Sequence, residues 1–145
     1  MKKVILILLS IIIIVVSIIG IKYYSYMIEQ NNVKKENAEY EKYKDQEIYG
    51  IDLATLINMT VNKNEKNEIP KDDKGIYIQN EKNSIEVEIY ILDNETTYKM
   101  ESFNNAGTEQ FIQYYGNIKF KCSKIEYHKD TGKIKYILFE QLQTS

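Results

Sequence analysis

The chain begins with an unbroken apolar run, and beyond it apolar and polar positions alternate with two different periods. Eighteen residues from Val4 to Ile21 carry no charged side chain. A helix rises about 1.5 Å per residue, so this run would reach roughly 27 Å, close to the ~30 Å hydrocarbon thickness of a bilayer. The pattern therefore predicts one membrane-spanning helix and contains no second run of this kind.

This apolar run has three competing interpretations: a permanent anchor, a cleaved signal peptide and the hydrophobic helix of a pilin-like subunit. A signal peptide has an apolar core of about 7–15 residues followed by small residues at its cleavage site. Here the core is longer and continues into Lys22 and bulky tyrosines. Pilin precursors carry their processing glycine before the run, whereas Gly20 lies at its far end. The pattern favours the anchor.

Aromatic residues follow the run directly. Tyr23, Tyr24 and Tyr26 lie just beyond Lys22, and tyrosine is enriched where a transmembrane helix meets the lipid headgroups. We therefore expect Lys22, Tyr23, Tyr24 and Tyr26 to form the membrane interface.

The orientation of the span is predicted from the lysines on its two sides. A short basic tail before a first apolar segment normally stays in the cytoplasm, and here it carries Lys2 and Lys3. Lys22, Lys34 and Lys35 follow the run, so the asymmetry is small. The expected location is the cell membrane, single-pass, with the N-terminus cytoplasmic and the C-terminal domain extracytoplasmic.

The segment after the span is polar. Residues 23–47 are rich in Glu, Lys, Asn and Tyr, and Val33, Asn37, Tyr40 and Tyr43 give only a thin stripe at helical spacing. That stripe offers too little apolar area for an independent core. We predict a helical stalk or a partly ordered linker.

A helix is predicted directly after Gly50. Asp52 is a suitable N-cap, and apolar residues return at i, i+3, i+4, i+7 and i+8 from Leu53 to Val61. This is the spacing of one buried helix face. A polar run, followed by Pro70 and Gly75, indicates a turn-rich connection.

After this connection the spacing of apolar residues changes from 3.6 residues to 2, which indicates strands. Strands are predicted at 76–79, 84–92 and 96–100. The second places its apolar residues on one side and Glu86 and Glu88 on the other. The apolar side consists of Ile85, Val87, Ile89 and Ile91.

A second helix and two further strands complete the pattern. The helix, over 104–114, should place Phe111 with Tyr114 or Tyr115 against the sheet and stop at Gly116. In the first of these two strands, the apolar residues change from one face to the other near Ser123, which predicts a bulge. A turn containing Gly132 leads to the last strand, 133–141, which is apolar on both faces and should be central.

Together these elements predict an α+β fold. We expect an N-terminal transmembrane helix and a helical stalk, then a small α+β domain with a mainly antiparallel sheet of about five strands and two helices. The predicted segments are 1–22 for the signal-anchor helix, 23–47 for the stalk and 48–145 for the globular domain.

The charge pattern bears on the partners. Every basic residue is a lysine, and 19 basic residues face 21 acidic ones, which alternate with them along the chain. Binding to a phosphate backbone needs clustered basic charge. We therefore expect no nucleic-acid partner. The expected partners are the lipid bilayer, through residues 4–21, and an envelope protein.

The sequence offers little catalytic chemistry. Cys122 and His128 are the usual types of nucleophile and base. If both lay on one strand, six residues at about 3.3 Å each would place them ~20 Å apart, too far for a catalytic pair. One cysteine cannot form an internal disulfide, and we expect Cys122 to be buried. His128, beside a charged turn, should be exposed. These two residues are also too few for a zinc site, so no cofactor or metal is expected.

Carboxylate pairs remain as a further hypothesis. The pairs Asp72 with Asp73, Glu86 with Glu88, and Asp93 with Glu95 could in principle serve a hydrolase. Each has a simpler explanation as a turn or as the wet side of a strand. A carboxylate-dependent hydrolase, the least favoured hypothesis, would depend on these side chains: Asp72, Asp73, Glu86, Glu88, Asp93 and Glu95.

Three stretches carry a resemblance to known proteins. These are EYEKYKDQEIYGIDLATLIN at residues 39–58, Phe103-Asn104-Asn105 and Tyr114-Tyr115-Gly116-Asn117. With them, the chain resembles small uncharacterised single-pass membrane-anchored proteins of low-GC Gram-positive bacteria, which have no assigned function. The resemblance implies an architecture and no active site.

Two main functional hypotheses follow. The first is a non-catalytic, membrane-anchored interaction or assembly module outside the cytoplasm, because an anchor and a stalk accompany no catalytic constellation. The second is an extracytoplasmic ligand-binding or sensing domain with tyrosines lining a groove beside the sheet. The tyrosines concerned are Tyr77, Tyr90, Tyr98, Tyr114 and Tyr115.

Overall fold

A computed structural model describes residues 2–143, which form two compact units divided after Glu36. Helix α1 covers Lys2–Glu41. Its apolar part has a mean hydropathy of 3.5 over 18 residues, and none of that stretch is buried. The helix is therefore long and apolar enough to cross a membrane.

The second unit begins at Asn37 and holds the remaining elements. Residues 37–47, at the end of the predicted stalk, thus lie within this unit. The division into anchor, stalk and domain stays a prediction, and positions 1, 144 and 145 lie outside the described residues. The elements are β1 (Glu47–Tyr49), α2 (Gly50–Lys66), β2 (Glu86–Ile91), β3 (Thr96–Lys99), α3 (Met100–Asn105), α4 (Thr108–Tyr115), β4 (Lys119–Tyr127) and β5 (Ile134–Gln141).

The five strands form one sheet in the order β1-β4-β5-β2-β3. Neighbouring strands are antiparallel except β2 and β5, which are parallel. The predicted α+β class with a mainly antiparallel sheet is therefore confirmed. Strand β5 lies in the centre, as its two apolar faces predict.

Strands β4 and β5 form the predicted hairpin. Their register shifts between Cys122 and Lys124, where the bulge is expected. In the turn, Gly132 has φ +67° and its N–H donates to the carbonyl of His128 at 2.9 Å. A left-handed backbone favours glycine because it has no Cβ.

Helix α2 buries the predicted apolar face, which includes Leu53, Leu56 and Ile57. The N-cap prediction is wrong, because Tyr49 precedes the helix and Asp52 lies in its first turn. The backbone explains this: the N–H of Gly50 donates to Ile118 O at 2.8 Å. The first amide groups are thus satisfied by the neighbouring segment, and no side-chain cap is needed.

One predicted strand is absent, and one strand forms that the sequence pattern did not predict. Residues 76–79 do not form a strand, and Tyr77 makes only an isolated bridge with Lys71. The N–H of Tyr77 donates instead to a side-chain oxygen of Glu101 at 3.1 Å. A strand that the pattern did not predict, β1, pairs with β4 at one edge of the sheet. Three residues are too few for a recognisable alternation.

The predicted helix over 104–114 is two helices, α3 and α4. They are separated at Ala106 and Gly107, and Gly107 has φ +87°. This backbone conformation cannot continue a right-handed helix. Phe111 is buried as expected, whereas Tyr114 is 71% exposed and Tyr115 is the tyrosine packed on the core.

Two buried asparagines anchor the starts of the parallel strand pair. The Asn64 side chain donates to Ile85 O at 2.7 Å and accepts from Ile85 N at 2.9 Å. Asn37 accepts from Ile134 N at 3.1 Å and donates to the carbonyl of Gly132 at 2.8 Å. Each side-chain amide thus takes the place of a neighbouring strand, which satisfies backbone groups that water cannot reach.

Candidate functional site

An aromatic groove lies where β3, α3 and α4 meet. Its volume is about 230 Å³. The lining includes two small residues, Ala106 and Gly107, and two polar residues, Ser102 and Gln110. The aromatic walls are Tyr98, Phe103, Phe111, Tyr114 and Tyr115.

The local sequence explains how these side chains come together. Strand β3 ends at Lys99 and α3 begins at the next residue, so Tyr98 and Phe103 lie close to each other. The break at Gly107 starts a new helix in which Phe111 and Tyr115 are four residues apart. Residues at this spacing share one helix face.

The rings form a continuous cluster that reaches the core. The ring centroids of Tyr98 and Phe103 are 5.5 Å apart, and those of Phe103 and Phe111 are 4.7 Å apart. Phe111 also contacts Tyr115 at 5.2 Å and Phe120 of β4 at 6.0 Å. These distances are typical of stabilising aromatic pairs. The inner wall of the groove is therefore held in place by the sheet.

The outer part of the groove is more polar. The side-chain amide of Asn94 donates to the Tyr98 hydroxyl. Burial raises the pKa of the Tyr115 hydroxyl, and the negative charge of Asp93 raises it further. Tyr115 therefore stays a neutral hydrogen-bonding group at physiological pH, and a carboxylate lies close to the groove.

The predicted set of tyrosines is only partly brought together. Tyr98, Tyr114 and Tyr115 line the groove. Tyr77 is buried elsewhere, with its hydroxyl donating to Val61 O at 3.3 Å. Tyr90 alternates with the buried residues of β2, so it lies on the opposite face of the sheet.

Sequence reasoning did not assign Phe103 to this site. Its position five residues after Tyr98 gives no helical or strand spacing, because the change from β3 to α3 lies between them. The available signal was the concentration of aromatic residues between positions 98 and 115. That signal indicates a cluster but not its geometry.

Cys122 and His128 do not form a catalytic pair. Cys122 is 1% exposed, and burial raises the pKa of its thiol, which favours the unreactive protonated form. The predicted exposure of His128 is wrong, because it is also 1% exposed. Its Nε2 lies 2.8 Å from Ser84 O and donates to it. The hairpin turn places His128 against the residues that precede β2. The residues next to His128 in the sequence do not indicate this contact.

Three of the carboxylates proposed for a hydrolase already have hydrogen-bond or ion-pair partners within the protein. Glu86 forms an ion pair with Lys99, and this hydrogen bond raises the pKa of the lysine. Glu88 accepts a hydrogen bond of 2.7 Å from the Tyr136 hydroxyl. Asp72 accepts from two backbone N–H groups of its own turn. Within residues 2–143, no group of three or more His, Cys, Asp or Glu side chains is arranged to hold a metal ion.

The predicted membrane-interface residues all lie on helix α1. Tyr23, Tyr24 and Tyr26 are 58–69% exposed, and Lys22 is also exposed. Their assignment to the headgroup region stays a prediction.

Comparisons with protein-family models, with curated proteins and with solved structures found no match.

Proposed function

We propose that this chain is a membrane-anchored, non-catalytic interaction module. In this proposal α1 spans the bilayer through residues 4–21. The second unit lies outside the cytoplasm, where the aromatic groove receives an apolar side chain from another envelope protein. The observation that carries the proposal is the groove itself, an apolar cleft open to solvent.

The size of the groove supports a protein partner over a small molecule. Pockets that enclose a drug-sized ligand measure about 300–1,000 Å³, and this groove measures about 230 Å³. A protein interface needs less enclosed space, because a few anchor side chains that enter pockets supply most of the binding energy. One large side chain is the occupant that fits.

The exposed aromatic surface also supports docking. Tyr114 lines the groove and is 71% exposed. Tyrosine is enriched in interface cores, where its ring is buried and its hydroxyl makes a hydrogen bond. Covering Tyr114 with a partner would therefore be favourable.

A ligand-binding or sensing domain is the second candidate. It is favoured by Ser102 and Gln110, two polar side chains among the aromatic walls, because small-molecule sites combine apolar walls with a few polar groups. A thermal-shift screen of the full chain in detergent micelles tests it. Stabilisation by a single metabolite or glycan supports this candidate, and stabilisation by none counts against it.

The interaction proposal is tested by site-specific crosslinking in intact cells. A photoreactive phenylalanine analogue replaces Tyr114 in the groove or, as a control, Tyr127, which is 41% exposed. Tyr127 ends β4, whereas Phe120, which packs against Phe111 of the groove, lies near the start of that strand. We expect one discrete protein to be crosslinked from position 114 and not from position 127.

A groove-filling variant makes this test specific. Ser102 is exposed and lines the groove, so Ser102→Trp should block the groove without changing the core. Loss of the crosslink in Ser102→Trp supports the proposal. The same crosslinked protein at both positions, or an unchanged yield with the groove blocked, contradicts it.

A further inference from the structure

We infer that the groove selects a positively charged segment of its partner: an apolar or aromatic side chain flanked by lysine or arginine. This inference rests on the proposed function and adds the chemical class of the partner. It is carried by the charge distribution around the groove.

The segment that builds the groove is acidic compared with the rest of the chain. Residues 92–115 contain four acidic residues and one lysine, which gives a net charge of −3. The whole chain has a net charge of −2, so the remainder is slightly positive. Of the four acidic residues, Glu101 is buried and accepts a hydrogen bond from the N–H of Tyr77, so three carboxylates of this segment lie at the surface.

The individual charges have different positions. Asp93 and Glu95 are exposed in the connection between β2 and β3, and Glu109 is exposed beside Gln110 of the groove. Between Asp93 and Glu95, Asn94 donates its side-chain amide to the hydroxyl of Tyr98 in the groove wall, which places this connection at the groove. The charge of Asp93 also helps to raise the pKa of Tyr115. Asp93, Glu95 and Glu109 are called the acidic rim below.

The positive charge of the segment does not neutralise this rim. Its one lysine, Lys99, pairs in register with Glu88 on β2 and forms an ion pair with Glu86. Both glutamates lie on the side of the sheet opposite the buried residues of β2. The nine residues that line the groove include no basic side chain.

The aromatic walls favour a cation as well. An ammonium or guanidinium group within about 6 Å of an aromatic centroid is attracted by the negative face of the ring. A basic segment would therefore meet carboxylates at the rim and rings in the groove. An acidic segment would meet like charges at the rim, which disfavours it.

Peptide binding to the full chain in detergent micelles tests the inference. The probes are two five-residue peptides with blocked ends and a central phenylalanine, one with two lysines on each side and the other with two glutamates. We expect the basic peptide to bind at least about tenfold more tightly, a difference of ~1.4 kcal/mol. The preference should shrink at high salt, because exposed charges are screened.

Variants assign the effect to the acidic rim. The double variant Asp93→Asn with Glu109→Gln should reduce the preference severalfold, and Ser102→Trp should abolish binding of the basic peptide. Asp73→Asn removes one exposed charge from a turn that does not line the groove and should change nothing. Equal binding of both peptides, no binding of the basic peptide, or an equal effect of Asp73→Asn overturns the inference.

The crosslinking experiment separates this inference from the proposed function. A discrete partner crosslinked at position 114, together with failure of the basic peptide, overturns the charge preference and leaves the interaction module standing. No crosslink at position 114 contradicts the interaction module itself.

Discussion

Asn64 is one of the residues on which the fold depends most directly. It is fully buried in α2, and its side chain makes both of its hydrogen bonds to Ile85. Asn64→Ala would leave the N–H and the carbonyl of Ile85, the residue before β2, without these partners, which costs about 2–4 kcal/mol. We expect the Tm of the full chain in micelles, followed by the near-ultraviolet circular dichroism of its tyrosines, to fall by roughly 10 °C or more.

Asn62 provides a matched control for this prediction. It lies on the same helix but is exposed. Asn62→Ala should change stability by less than about 0.7 kcal/mol, the scale of helix propensity alone. A similar loss in both variants would show that the helix, and not the paired amide, determines the effect.

Tyr127 gives a prediction about alkaline pH. The partial burial of Tyr127 raises its pKa to about 12, and the hydrogen bond that its hydroxyl donates to Glu41 Oε1, at 2.7 Å, contributes to the shift. An unfolded tyrosine titrates near ~10, so the folded state holds this proton more tightly. The stability that Tyr127 contributes is therefore complete below about pH 10 and is lost as the pH rises towards about 12.

A tyrosinate titration measures this shift. The ultraviolet absorbance of the native chain minus that of Tyr127→Phe should show one phenol with a midpoint near about 12. Glu41→Gln should lower that midpoint, because it removes a negative charge beside the phenol. A difference curve centred near ~10 would mean that Tyr127 is not held in this environment.

At the residue scale, the sequence pattern predicts burial better than hydrogen bonding. Cys122 and Phe111 are buried as their spacing indicates. The burial of His128 and Asn64 depends on partners 44 and 21 positions away along the chain. Such pairings form only when the whole chain folds, so no local pattern contains them.

Close packing of two elements produces a further prediction at Gly50. A Cβ added there would lie 2.0 Å from Tyr115 O, at the end of α4. Because the obstacle is backbone, α2 and α4 would have to separate. We expect Gly50→Ala to destabilise the chain by about 3 kcal/mol, measured as a loss of Tm in micelles.

Gly132→Ala is the comparison for Gly50→Ala. Gly132 has φ +67°, and a Cβ there meets nothing within 4 Å. The substitution should cost only about 1 kcal/mol of backbone strain. If Gly132→Ala were the more damaging of the two, turn geometry rather than contact between elements would limit the stability.

At the element scale, long periodic segments are predictable and short or interrupted ones are not. The apolar faces of α2 and β2 follow from spacing alone. Strand β1 is only three residues long, and the break at Gly107 turns one predicted helix into two. The groove depends on that break, so its existence could not be predicted although three of its tyrosines were named.

At the scale of the whole molecule, the aromatic groove can bind its partner only if the second unit and the partner lie on the same side of the membrane. The prediction is that the second unit lies outside the cytoplasm. Asp73 is exposed and Cys122 is 1% exposed. In intact cells, a membrane-impermeant thiol reagent should therefore label Asp73→Cys and leave the unsubstituted chain unlabelled.

The native cysteine makes this topology experiment self-controlled. Cys122 should react only after denaturation, which verifies that the chain was folded when Asp73→Cys was labelled. Labelling of Asp73→Cys only after the membrane is permeabilised would place the second unit in the cytoplasm. The partner would then be a soluble protein recruited to the inner leaflet, and the basic segment that the groove is inferred to select would be sought there.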